Sequence, residues 1–106
     1  MSPINNEIEN IIRDLTAGLK SMGSPGVDPD SIQIKRDPSI FSGEINFTIR
    51  NHKWSIGFCL HPHDYPNNFV INGRSDPELP LNNDSEIAQS VKKIVARVIS
   101  IEDMKA

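Results

Sequence analysis

The chain contains a single cysteine, Cys59, among its 106 residues. One thiol excludes an internal disulfide framework and any zinc site built from several thiolates. It also indicates a reducing compartment, so we expect a cytoplasmic protein. The sequence lacks the run of about 18 apolar residues that a membrane span requires, and no basic stretch followed by an apolar one stands at its N-terminus. We therefore expect no leader segment and no membrane partner.

Clusters of basic residues are also scarce. Eleven Lys and Arg are scattered among fourteen Asp and Glu, which gives a net charge of -3. Phosphate binding needs Lys and Arg gathered on one surface, so we predict no nucleic-acid partner. We interpret the tightest group, Lys92, Lys93 and Arg97, as the solvated face of a helix. The hydrophobic content of 37% and the chain length are those of a single domain, residues 1–106.

Apolar residues recur at helical spacing near both ends of the chain. The first stripe consists of Ile4, Ile8, Ile11, Ile12, Leu15, Leu19 and Met22. The second consists of Ile87, Val91, Ile94, Val95, Val98 and Ile101. Pro3 suits the first position of the first helix, and Asn83 with Glu86 three residues later indicates a capping box at the start of the second. We predict helices from about residue 3 to 22 and from 84 to 104.

Apolar and polar residues alternate strictly in the middle of the chain, which is typical of strands covered on one side. This alternation predicts strands at 31–36, 44–50 and 53–60, with Asn51-His52 as a short connection, and a shorter strand at 68–72. Residues 73–83 carry Pro77 and Pro80 and are predicted to form a loop. The predicted fold is α+β: an N-terminal helix, a four-stranded antiparallel meander and a C-terminal helix, with both helices packed on one face of the sheet.

The other face of this sheet is a candidate surface for a protein partner. Its outward side chains in the predicted strands include Lys35, Glu44, Asn46, Thr48, Arg50 and Lys53. A bare sheet face offers a broad platform to another protein or to a second copy of the chain. The alternative is a plain solvated face.

The segment His61-Pro62-His63-Asp64-Tyr65-Pro66 ends the third predicted strand and holds two of the three histidines. His61, His63 and Asp64 are candidate metal ligands, but Pro62 interrupts the strand geometry that would place both imidazoles on one face. Solvated or turn-capping histidines are the alternative. Cys59 would lie roughly 6 to 7 Å from His61 on an extended strand, too far for a hydrogen bond. We therefore predict no catalytic residues, no bound metal and no cofactor.

The same segment carries a resemblance to a known family. Phe58-Cys59-Leu60 precedes His61-Pro62, and Tyr65-Pro66 follows at the offset found in the ubiquitin-conjugating-enzyme-like superfamily, which includes the non-catalytic RWD domains. The resemblance implies an N-terminal helix before a four-stranded meander, and a turn in which Tyr65 packs against the fold between Pro62 and Pro66. Conjugating enzymes have a His-Pro-Asn and then a catalytic cysteine after the fourth strand. No cysteine follows Cys59, so the resemblance implies a binding module without thioester chemistry.

The function predicted from the sequence is a non-catalytic module that binds a protein partner. The open sheet face and the 61–66 turn, with His61, His63 and Asp64 as contact residues, would form its binding surface. One alternative is a small chaperone that forms a homodimer, or a bacterial or phage inhibitor protein that binds and blocks another protein. The other is a small metal- or thiol-dependent enzyme that uses His61, His63, Asp64 and Cys59.

Overall fold

The computed structural model of the chain describes residues 3–23, 26–60 and 68–105, without the side chains of residues 3–6 and 38. Its elements in order are α1 (Pro3–Lys20), β1 (Gln33–Asp37), β2 (Ser42–Ile49), β3 (His52–Cys59), β4 (Asn68–Ile71), β5 (Arg74–Pro80) and α2 (Asp84–Lys105). One 3-10 turn precedes β1 at Pro29–Ser31, and another follows it at Pro38–Ile40. The predicted α+β class is confirmed.

The five strands form one antiparallel sheet in the order in which they occur along the chain. Two of the connections are hairpins of two residues, Arg50-Asn51 and Asn72-Gly73, since Ile49 pairs with His52 and Ile71 with Arg74. All four turn residues have positive φ, between 51° and 83°, as a type I′ turn requires. The first hairpin therefore begins one residue earlier than predicted, and His52 is already the first residue of β3.

The prediction of four strands is wrong by one, because residues 74–80 form β5 rather than a loop. Prolines are depleted from central strands, where every N–H is needed, but edge strands tolerate them. Pro77 and Pro80 lie in β5, which among the described strands pairs with β4 alone. Leu79 within β5 and Leu81 just after it are both buried.

Both helices pack on the same face of the sheet, and the core lies between them and the strands. The inward side chains of β2 and β3 alternate with half-buried ones along both strands. The core contains Ile8, Ile11, Ile12, Leu15, Leu19, Met22, Ile45, Phe47, Ile49, Trp54, Ile56, Phe58, Phe69, Leu79, Leu81, Val91, Ile94 and Val98. Every described member of the predicted first stripe is therefore buried. In the second stripe Ile101 is 39% exposed, and the neighbouring Glu102 is fully buried in its place.

Charged pairs tie each helix to an edge of the sheet. Arg36 of β1 hydrogen-bonds the carboxylate of Glu9 on α1. Arg97 of α2 forms ion pairs with Asp76 and Glu78 of β5. The prediction that Arg97 is simply solvated is thus wrong, because this side chain links α2 to β5.

No helix in the described parts of the chain is both long and apolar enough to cross a membrane.

Candidate binding surfaces

The side of the sheet opposite the helices brings together most of the side chains predicted for the open face. Lys35 pairs in register with Glu44, and Thr48 with Lys53. Between these two pairs, Asn46 pairs with Ser55, and their side chains lie on the same side of the sheet. These positions alternate with the buried ones of β2 and β3, so they point away from the helices. No helix of the described residues covers this face, because both α1 and α2 lie on the other side.

Arg50 does not belong to this surface, contrary to the prediction. It lies in the β2–β3 turn with a φ of 52°, and its Nη1 donates a hydrogen bond of 3.4 Å to the backbone carbonyl of Glu102 at the end of α2. The guanidinium therefore turns toward the helical side of the sheet. The sequence pattern misplaced it because the alternation of β2 was extended one residue into the turn.

Hydrogen bonds fix the polar side chains near the centre of the open face. Glu44 accepts one bond from the hydroxyl of Ser55, at 2.9 Å, and one from the amide of Asn46, at 3.3 Å. All three residues are half-buried. A carboxylate held by two neighbours keeps one orientation, so this part of the face is ordered before any partner arrives.

A groove of 280 Å³ lies beside these side chains, where β3 carries Gly57 instead of a side chain. Its walls include Ile40, Cys59 and Val70. Ile40 is 40% exposed, one of the few large apolar residues on the surface of the described chain. The groove is thus a depression of mostly apolar walls on a polar sheet face.

Cys59 is half-buried at this groove. Its Sγ donates a hydrogen bond of 3.0 Å to the backbone carbonyl of Ile40. Within residues 3–23, 26–60 and 68–105, no three side chains of His, Cys, Asp or Glu stand close enough together to hold a metal ion.

The remaining predicted contact and turn residues are His61, Pro62, His63, Asp64, Tyr65 and Pro66, and all of them lie outside the described residues. Their roles in contact, in the turn or in metal binding therefore stay predictions.

A buried carboxylate that the sequence prediction missed lies on the helical side of the sheet. Glu102 of α2 is fully buried. Its Oε1 accepts a hydrogen bond of 2.5 Å from the indole Nε1 of Trp54, and its Oε2 lies 2.8 Å from Nδ1 of His52. Because a carboxylate can only accept, that imidazole nitrogen carries the proton. Lys105 adds its ammonium 3.6 Å from Oε1 and 5.3 Å above the Trp54 ring.

These partners decide the charge state of Glu102. Burial raises the pKa of its carboxyl group, but hydrogen bonds from His52 and Trp54 and the attraction of His52 and Lys105 outweigh burial, so the pKa lies below the ordinary value of 4.5. The carboxylate is therefore ionised at neutral pH. A sequence signal for it existed: Ile94, Val98 and Glu102 are spaced by four residues, which places all three in one row of the helix.

The resemblance to the ubiquitin-conjugating-enzyme-like superfamily depends on the 61–66 segment, so it stays a prediction. Comparisons of the chain with protein-family models, with curated proteins and with solved structures find no match in any of the three.

Proposed function

We propose that the chain is a protein-interaction module without catalytic activity, and that it binds a protein partner through the open face of the sheet. The observation that carries the proposal is the groove at Gly57. An apolar depression surrounded by oriented polar groups is the usual anatomy of a protein-binding site, in which the centre is apolar and the rim polar. Glu44, Asn46 and Ser55 supply such a rim.

The groove favours a partner that inserts one apolar side chain. Its volume of 280 Å³ is at the small end of binding pockets, and it accommodates an anchor residue rather than a whole ligand. Anchors of this kind supply most of the binding energy in many interfaces, while the surrounding contacts exclude water. Lys35 and Lys53 at the margin of the face would contact acidic groups of the partner.

The 61–66 turn remains part of the proposal, with His61, His63 and Asp64 as additional contacts. Leu60 connects β3 directly to this segment, and Cys59 at the end of β3 lines the groove. We propose the cytoplasm as the compartment, because a single cysteine cannot form the internal disulfide bonds that are common in proteins of oxidising compartments. The thiol of Cys59 is engaged with the carbonyl of Ile40, which supports a packing role over a nucleophilic one.

Gly57→Val tests the proposal directly. A Cβ at Gly57 would lie 3.7 Å from the carbonyl oxygen of Gly43 and 4.0 Å from Cγ of Glu44, which is ordinary van der Waals contact. The Cβ is therefore accommodated by the sheet, and the two methyl groups of valine should occupy the groove. The tagged wild-type chain and this variant would each be expressed in the cells that naturally make the protein, and the captured proteins quantified.

The expected result is a specific protein captured by the wild type and reduced about tenfold or more with Gly57→Val. That protein would then be purified and titrated against both chains. Lys92→Glu is the control, because Lys92 is exposed on α2, away from the open face. Equal capture by the wild type and a folded Gly57→Val variant would overturn the open face as the binding surface. Light scattering during size exclusion separates a dimeric chaperone from a monomeric module.

A further inference from the structure

The two edges of the sheet differ in their capacity to accept another strand. β5 carries Pro77 and Pro80, which lack an N–H, and it is tied to α2 through Arg97. β1 contains no proline between residues 33 and 37, and all five of its residues are exposed. In the described chain no strand pairs with its outer side, because β2 is its only neighbour. A strand edge with free N–H and C=O groups can accept a further strand, and the charged side chains of β1 restrict which strands it accepts.

A groove runs beside this edge, between β1 and α1. It has a volume of 410 Å³, and its apolar walls come from Ile12, Ala17 and Ile34 with the methyl-bearing Thr16. Ile34 pairs in register with the buried Ile45, so its side chain faces the helical side, yet it is 36% exposed. A strand added to β1 would direct every second side chain into this groove, since side chains alternate between the faces of a sheet.

The charges around the groove are mostly positive. Three basic residues, Arg13, Lys20 and Arg36, line it with one acidic residue, Glu9. Glu9 pairs with Arg36 and Arg13 lies 3.9 Å from Asp14, so Lys20 is the lining cation that is left without an ion pair among the described residues. The whole chain carries a net charge of -3, so the groove is a local departure from the charge of the protein. Lys20 and Lys35 make no ion pair within the described residues.

We propose that β1 binds an extended segment of a protein partner as a sixth strand, and that this segment alternates apolar with acidic residues. The apolar side chains would enter the groove between α1 and β1. Acidic side chains on the opposite side of the added strand would pair with Lys35, and an acidic residue that follows the paired stretch, where the alternation ends, would meet Lys20. The site shares Lys35 with the open face, but its groove and its strand edge lie elsewhere, so the proposal does not depend on the function proposed above.

Charge also decides against a second copy of the chain as the occupant. Antiparallel pairing of two β1 strands about their central residue would set Lys35 directly opposite Lys35 of the other copy. Like charges in directly opposed positions destabilise a strand pair. It would also bring the two basic helical flanks, each with Arg13 and Lys20, toward each other. An acidic segment would place no lysine opposite Lys35 and would bring no second basic helix toward α1.

A random nine-residue peptide library, displayed on phage and selected against the purified chain, tests the proposal. The expected consensus alternates apolar and acidic residues. The best peptide would then be synthesised and titrated against the wild type and against the double variant Lys20→Glu with Lys35→Glu, which reverses the two charges that the acidic side chains are proposed to meet. Binding should weaken by about tenfold or more. The matched control is Lys92→Glu with Arg74→Glu, two exposed basic residues outside the groove, and it should leave the affinity unchanged.

N-methylation of the peptide tests the strand itself. Only one edge of an added strand hydrogen-bonds to β1, so methylating alternate amides on that edge should abolish binding, whereas methylating those on the other edge should preserve it. No enrichment in the library, a basic consensus, or equal effects of the two methylation patterns would overturn the proposal. So would a dimer of the wild-type chain that Lys20→Glu with Lys35→Glu converts to a monomer. Gly57→Val should bind the peptide normally, which separates this site from the open face.

Discussion

The indole nitrogen of Trp54 and the carboxylate of Glu102, 48 residues apart in the chain, are joined by a hydrogen bond of 2.5 Å in the interior. The bond connects the beginning of β3 to the last turns of α2. His52 binds the second carboxylate oxygen, so both oxygens have partners. The Trp54 ring also lies parallel to that of Phe47, with centroids 6.3 Å apart. The C-terminal end of α2 is thus held by a polar contact inside an apolar core.

Removing the Glu102 carboxylate should destabilise the fold. Glu102→Ala leaves the indole N–H of Trp54 buried without an acceptor, and an unsatisfied buried donor costs about 2 kcal/mol. Glu102→Gln keeps one acceptor oxygen and should lose about 1 kcal/mol. Urea unfolding followed by Trp54 fluorescence measures both values. The control, Asp103→Ala, changes an exposed carboxylate on the next residue and should stay within about 0.5 kcal/mol of the wild type. An equal loss of unfolding free energy in Glu102→Ala and Asp103→Ala would contradict the stabilising role of the Glu102 carboxylate.

The same carboxylate should make stability depend on acid. Its folded-state pKa lies below the ordinary value of 4.5, because hydrogen bonds from His52 and Trp54 and the attraction of His52 and Lys105 outweigh burial. Between the two pKa values the unfolded chain binds the proton and the folded chain does not, so stability rises with pH in that range. The stabilising contribution is therefore complete above pH 4.5 and is lost as the pH falls through the folded-state pKa.

Unfolding free energies of the wild type and Glu102→Gln, measured in urea from pH 6 to pH 2.5, check this prediction. The unfolding free energy of the wild type should exceed that of Glu102→Gln by a constant amount above about pH 5, and the difference should shrink at lower pH. Comparison of the two chains cancels the titration of other carboxyl groups that both share. An advantage that grows on acidification would show that the pKa is raised rather than lowered.

The start of α2 should depend on Asn83. Its Oδ1 accepts a hydrogen bond of 3.0 Å from the backbone N–H of Glu86, and its Nδ2 donates one of 3.0 Å to the Glu86 carboxylate. Asn83→Ala removes both bonds and should cost about 1 kcal/mol. Asn83→Asp keeps the acceptor and should retain most of the stability. Thermal unfolding monitored by circular dichroism distinguishes the two, and equal melting temperatures for wild type and Asn83→Ala would refute the cap.

Local patterns predicted most of the fold because each depends on few neighbouring residues. The stripe of α1, the Asn83–Glu86 cap and the alternation of β2 and β3 all appear in the structure. β5 was missed because Pro77 and Pro80 were weighed as strand breakers, whereas position at the edge of the sheet makes them acceptable. Asn72-Gly73 is a typical hairpin pair, and this local signal for a strand on each side of it carried less weight in the prediction than the two prolines.

The surfaces were harder to predict than the elements, because they depend on which strand lies at an edge and which helix ends where. The groove beside β1 requires that α1 and Ile34 stand side by side, a contact that spans 22 residues of sequence between Ile12 and Ile34. Similarly, the burial of Glu102 follows from tertiary partners on β3, and the apolar stripe alone favoured Ile101. Alternation assigns a side chain to a face but cannot show what covers that face.

Two glycines on neighbouring strands should respond in opposite ways to the same substitution. A Cβ at Gly43 would lie 2.7 Å from Cζ and 2.9 Å from Cε1 of Phe58, on the buried face of β2. That ring packs edge-on against Phe69 with centroids 5.9 Å apart, so it has little room to move. Gly43→Ala should therefore destabilise the fold by about 1 to 3 kcal/mol through overpacking.

Gly57 faces the open side, and Gly57→Ala introduces a methyl group into ordinary contact distance. Glycine inside a strand loses more backbone entropy on folding than alanine, so this change should stabilise the fold by about 0.5 kcal/mol. Urea unfolding of the two single variants under identical conditions provides the comparison, since both make the same chemical change within one strand pair. If Gly43→Ala were neutral, Phe58 would have to shift freely, and the close packing of this side of the core would be refuted. If Gly57→Ala destabilised the fold as much as Gly43→Ala, the groove at Gly57 would not be open space, and the proposal that it binds a partner side chain would be refuted.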